Sequence, residues 1–149
     1  MTWIEEAKTA ILNSSETSSI YVGADSLKYK RKGQQFARFS TVVVLHLDSS
    51  HGCKVFHNTV TLPDYGNLKQ RLMTEVSFAI AAASEIMDVM GDRRLEIHLD
   101  LNADAKHKSN VAVKEALGWV KGTLGIDASI KPHSWAASHC SDHVVRGNC

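Results

Sequence analysis

The stretch NLKQRLMTEVSFAIAAASEIMDVMGDRRLEIHLDL, residues 67–101, changes its hydrophobic period once, and that change decides the fold class. From Asn67 to Met90 the apolar residues Leu68, Leu72, Val76, Ala79, Ile80, Ala83, Ile86, Met87 and Met90 fall on one stripe at a period of 3.6, which predicts a helix of about six turns. Gly91 stops it. From Arg94 to Leu101 the period drops to two, with Leu95, Ile97, Leu99 and Leu101 alternating against Glu96, His98 and Asp100, as in a strand with one apolar face.

Towards the N-terminus, Trp3, Ile4, Ala7, Ala10, Ile11 and Leu12 have the spacing of a short leading helix, followed by a Ser-rich turn. Three strand-like runs come next: Ser19 to Asp25, Phe36 to Leu47 with its β-branched Thr41-Val42-Val43-Val44, and Lys54 to Leu62. Towards the C-terminus, Ser109 to Thr123 is a second amphipathic helix, Ile126 to Lys131 a short strand, and Ser134 to Arg146 a last helix starting after Pro132. The order after the leading helix is therefore βββαβαβα. It predicts an α/β architecture: a mixed sheet whose first three strands are antiparallel and whose later strands return by right-handed crossovers, with helices packed on it.

The chain has 149 residues, 44% hydrophobic and 22% charged, which fits one domain over 1–149 and excludes disordered, collagen-like and coiled-coil readings. Only Pro63 and Pro132 punctuate it, and no low-complexity linker divides it. A net charge of +1 excludes a broadly basic nucleic-acid coat, so any site for nucleic acid must be local. Cys53, Cys140 and Cys149 are an odd number at wide spacing and are read as reduced thiols. The first thirteen residues include Glu5 and Glu6 and lack a signal-peptide core, and no apolar run approaches the roughly 18 residues of a membrane span. A cytoplasmic protein without a membrane partner is expected.

Four acids stand where chemistry is expected. Asp25 closes the run Tyr21-Val22-Gly23-Ala24-Asp25-Ser26, whose small residues admit close approach of a ligand, although an Asp before Ser also suits a strand-ending turn. Glu75 lies at the margin of the helical stripe, either as a boundary residue or aimed between helix and sheet. Asp100 shares strand parity with His98 and Asn102, opposite Leu99 and Leu101, where a buried carboxylate needs partners. Asp142 lies in the last helix, within His139-Cys140-Ser141-Asp142-His143. Carboxylates gathered within a few ångströms raise one another's pKa unless cations neutralise them. Oxygen-only ligation suits Mg²⁺ or Mn²⁺, and two such ions roughly 4 Å apart clamp an in-line phosphoryl displacement.

The order of elements matches the ribonuclease-H-like fold. The chain resembles the YkuK-type ribonuclease-H-like family through Val22-Gly23-Ala24-Asp25-Ser26, Arg71-Leu72-Met73-Thr74-Glu75-Val76, His98-Leu99-Asp100-Leu101-Asn102, and Lys131-Pro132-His133-Ser134-Trp135-Ala136-Ala137-Ser138 running into Asp142. Over residues 18 to 146 these motifs occur in the family's order. The resemblance implies that strand one, the long helix, strand four and the last helix converge, gathering Asp25, Glu75, Asp100 and Asp142 into a site for Mg²⁺ or Mn²⁺. The chain departs from the pattern at Leu27, where a polar residue is usual, and at Ser141-Asp142-His143, which replaces Ala-Asp and a basic residue.

The implied activity is phosphodiester hydrolysis in RNA or DNA. His139 and His143 are candidates for tuning Asp142 or passing a proton to the leaving group. Their i, i+4 spacing lacks the intervening Glu of a zinc-protease helix, and neither a serine-hydrolase elbow nor a Gly-rich phosphate loop is present. Two basic runs follow the acids: Lys28, Lys30, Arg31 and Lys32 after Asp25, and Lys106, His107 and Lys108 after Asp100. They are either solvated loops or phosphate contacts. Ser26, Lys28, Lys30, Asn102, Lys106 and Lys108 are the expected substrate contacts, with Tyr29 and Trp135 as candidate stacking surfaces. The rival is a non-catalytic nucleic-acid- or protein-binding adaptor on the same scaffold. A homodimer or a protein partner is compatible with either reading.

Overall fold

The computed structural model describes residues 1–102, 104 and 108–131. Helix α1 (Trp3–Leu12) starts at Thr2, whose hydroxyl accepts from the Glu5 amide while the Glu5 carboxylate accepts from the Thr2 amide, a reciprocal cap that satisfies two end donors. Strands β1 (Ser19–Arg31), β2 (Gln34–His46) and β3 (Cys53–Pro63) form an antiparallel meander. Helix α2 (Leu68–Ile86) follows, capped by the Asn67 side chain on the Gln70 amide at 3.0 Å. Strand β4 (Arg94–Leu99), helix α3 (Val113–Leu124) and the short strand β5 (Ala128–Ser129) complete the described elements.

The sheet order is β3-β2-β1-β4-β5, antiparallel through β1 and parallel from β1 to β5. This is the expected mixed sheet. The expected last helix, Ser134–Arg146, lies outside the described residues. The long helix is shorter than expected: its regular turns end at Ile86, and a 3-10 turn, Met87–Val89, leads to Gly91, whose φ of 56° ends the helical path.

Strand β1 also departs from expectation, running six residues past Asp25 to Arg31. Lys28, Lys30 and Arg31 thus lie on a strand rather than in a loop, and Lys32 and Gly33 form the turn into β2 with φ of 53° and 79°. Alternation in fact continues through Leu27 and Tyr29, but the intervening lysines mask it. Tyr29 stacks on Phe36 at 5.7 Å and carries the Arg38 guanidinium 5.2 Å from its ring centre. Its ring is engaged within the ribbon.

Alternation on the central strands divides the interior. Ile20, Val22 and Ala24 of β1, Val43 and Leu45 of β2, and Ile97 and Leu99 of β4 join Leu72, Val76, Ala79, Ala83 and Ile86 of α2 in the main core. Val42 and Val44 pack with Tyr21 on the other face. His98, only 1% exposed, lies 5.3 Å from the Tyr21 ring, with Nε2 3.4 Å from a Glu96 carboxylate oxygen.

Burial lowers the His98 pKa from its ordinary 6.5, and Glu96 opposes that shift. The neutral ring therefore favours the folded state; as pH falls through about 6.5 the unfolded chain binds the proton more readily and stability declines. Thermal melts at about pH 7.5 and 5.5 should show a smaller acid-side loss for His98→Asn than for wild type. Identical losses would remove His98 as the source.

Candidate active site

The site forms where the parallel half of the sheet ends. In β1 and β4 the last paired rung is Ala24 with Leu99, so Asp25 and Asp100 stand one residue beyond it on neighbouring segments. Asp25 shares parity with Gly23, and Asp100 with His98; Gly23 and His98 are themselves partners in the register. The two carboxylates thus belong to one face, just beyond the point where the parallel pairing of β1 with β4 ends. Asp25 is 8% exposed, and its Oδ1 accepts from the Ser26 amide at 2.8 Å. Asp100 lies just past β4, one residue short of the expected strand end at Leu101.

Glu75 does not lie at the margin of the helical stripe; it is buried, at 4% exposure. Buried Ala82, seven residues on, extends the stripe beyond Glu75, so that the carboxylate falls inside it. Ser26 donates its hydroxyl proton to Glu75 Oε2, and Arg71, one helical turn before Glu75, donates from Nη1 to Ser26 Oγ at 2.8 Å. Burial pushes the Glu75 pKa well above the usual carboxylate range; the charges of Asp25 and Asp100 push the same way, while Ser26 and Arg71 oppose them. A carboxyl with two acidic neighbours and little solvent favours its protonated form when no cation is bound.

The fourth participant is a cation supplied by the chain. Lys131 Nζ lies 2.7 Å from Asp100 Oδ1, and the Lys131 amide donates to the Leu101 carbonyl at 2.9 Å, fixing the segment after β5 against the end of β4. The hydrogen bond to Asp100 chiefly raises the Lys131 pKa, against partial burial, and the charges of Asp100, Asp25 and Glu75 add to it. Sequence reasoning assigned no role to Lys131 or Arg71, although both lie in the quoted motifs. The i, i+4 spacing of Arg71 and Glu75 was the available signal for Arg71; for Lys131, contact with Asp100 depends on the pairing of β4 with β5.

Among the described residues, no group of three or more His, Cys, Asp or Glu side chains is arranged to hold a metal ion. The donor chemistry nevertheless fits a hard divalent cation, because the three acids offer only oxygen and their electrostatic field already holds a protein ammonium. Of the other expected site residues, Asn102 accepts from the Asp104 amide at 2.9 Å, and Lys28, Lys30 and Lys108 are exposed. Lys106, His139, Asp142 and His143 lie outside the described residues, as does Trp135.

The fold and this arrangement define an α/β scaffold with acids where the parallel pairing of its central strands ends. The family model described as Ribonuclease H-like matches residues 3–146, and the chain belongs to that family. No curated protein and no solved structure matched. No helix among the described residues is long and apolar enough to cross a membrane.

Proposed function

We propose that the protein is a metal-dependent nuclease of the YkuK-type branch of this family, acting in the cytoplasm on phosphodiester bonds of RNA or DNA. The observation that carries this reading is the placement of Asp25 and Asp100 one residue past the last parallel rung of β1 and β4, with the buried Glu75 feeling the charge of both. These three residues, with Asp142, would hold Mg²⁺ or Mn²⁺. Bound ions would supply charge stabilisation and an activated water for in-line displacement. Ser26 and Arg71 orient Glu75 from the helix side. Lys28 and Lys30, exposed and sharing the parity of Ser26, offer phosphate contacts along the β1 extension, with Asn102, Lys106 and Lys108, which follow Asp100 in the sequence, as further candidates. His139 and His143 are assigned to proton transfer near Asp142.

One observation favours the adaptor reading: Lys131 already pairs with Asp100 and offsets its charge. Cleavage decides between the two. Wild type should cleave at least one of single-stranded, duplex and hybrid RNA or DNA substrates in Mn²⁺, and Asp100→Asn should lose about a thousandfold or more, the scale of several kcal/mol of lost charge stabilisation. Equal activity in both, or none in either, would exclude the nuclease.

A further inference from the structure

We propose that Lys131 is the resident cation of the acid cluster: its ammonium holds Asp100 in the metal-free protein, and it must leave that oxygen when a divalent ion is held there. The residue therefore sets the metal concentration at which the site fills. This inference rests on the metal-binding reading above and concerns how the site is regulated.

The argument begins with charge. Asp25, Glu75 and Asp100 interact electrostatically, and among the described residues Arg71 and Lys131 bring positive charge to them. Arg71 does so through Ser26, whereas Lys131 contacts a carboxylate directly, 2.7 Å from Asp100 Oδ1. A divalent ion bound by Asp100 on this side would meet the ammonium as a like charge at contact range. Both cannot occupy one oxygen at full strength.

Displacement is structurally easy. The Lys131 backbone is pinned independently by the hydrogen bond its amide donates to the Leu101 carbonyl, so the ammonium can depart without moving β4 or β5. Its side chain is 42% exposed, against 20% for Asp100, which leaves the flexible stem a route to water while the carboxylate stays in place. Arginine at this position would grip the carboxylate through two parallel bonds. Lysine provides a point charge that yields.

Mn²⁺ binding measured by calorimetry, and independently by the electron paramagnetic resonance of free Mn²⁺, tests the proposal on the full chain. Lys131→Gln and Lys131→Met should each bind Mn²⁺ about threefold to tenfold more tightly than wild type, as expected when one like charge leaves a partly exposed site. In EDTA both should melt below wild type, and saturating Mn²⁺ should raise their melting temperatures by more than it raises that of wild type. Unchanged or weaker Mn²⁺ affinity in both variants, with binding lost in Asp100→Asn, would overturn the role of Lys131 and leave the metal site standing. Absence of Mn²⁺ binding in wild type and both lysine variants would overturn the metal reading itself, and this inference with it.

Discussion

Glu75→Gln is expected to melt at a higher temperature than wild type in EDTA at about pH 8, while losing Mn²⁺-dependent cleavage by roughly a thousandfold. The gain follows from the raised Glu75 pKa. Burial and the charges of Asp25 and Asp100 favour the protonated carboxyl in the folded state, so ionisation opposes folding as pH rises above the ordinary value of 4.5 towards the folded one. Glutamine keeps the shape and an acceptor for Ser26 but cannot ionise. A gain of about 1–2 kcal/mol is typical of relieving such a site, roughly 2–4 °C in Tm for each kcal/mol in a chain of this size. The difference should vanish below about pH 4.5, where wild type is protonated as well. The cleavage loss reflects the other side of the same group, since an uncharged amide is a poor ligand for a hard divalent cation. A lower Tm for the variant at about pH 8, with the difference vanishing in acid, would show that Arg71 and Ser26 stabilise ionised Glu75 more than burial penalises it.

Truncation of the core beneath the site carries the larger stability cost. Ile97→Ala should lose about 2–5 kcal/mol in chemical denaturation, because Ile97 is fully buried in the main core and β4 lies between two paired strands. The lost methyl groups leave a cavity between the sheet and its helices that neighbouring backbone cannot close. Val55→Ala is the matched control: Val55 is 44% exposed on outer strand β3, and its change should stay within about 0.5 kcal/mol. Equal losses at the two positions would contradict this placement of the core. Since Asp100 follows β4 by a single residue, Ile97→Ala should also weaken Mn²⁺ binding where the protein remains folded.

Much of the architecture was legible because the signals were periodic. The alternation at Leu95, Ile97, Leu99 and the stripe from Leu68 to Ile86 each specify an element and its buried face. The end of β1 was not legible, because lysines interrupt the extension that pairing with β2 sustains through Arg31. Asp25 was identifiable as the acid closing an apolar run and Asp100 by its strand parity with His98, and their adjacency follows from the parallel register. The depth of Glu75 was missed because Ala82 was not counted as part of the apolar face. Lys131 was hidden for a different reason: a single lysine carries no periodic signal, and only β4–β5 pairing brings it to Asp100.

The unequal lengths of β1 and β4 have a consequence for self-association. β4 accompanies β1 only as far as Ala24, so among the described residues β1 from Asp25 to Arg31 is paired with β2 alone. Half a ribbon of backbone donors and acceptors on that side is a template for an added strand. Lys28, Lys30 and Arg31 lie along it, and a second copy approaching in register would bring the same charges against one another. Whatever these side chains contribute to holding phosphates, like charges spaced along this stretch of β1 oppose its pairing with the same stretch of a second copy.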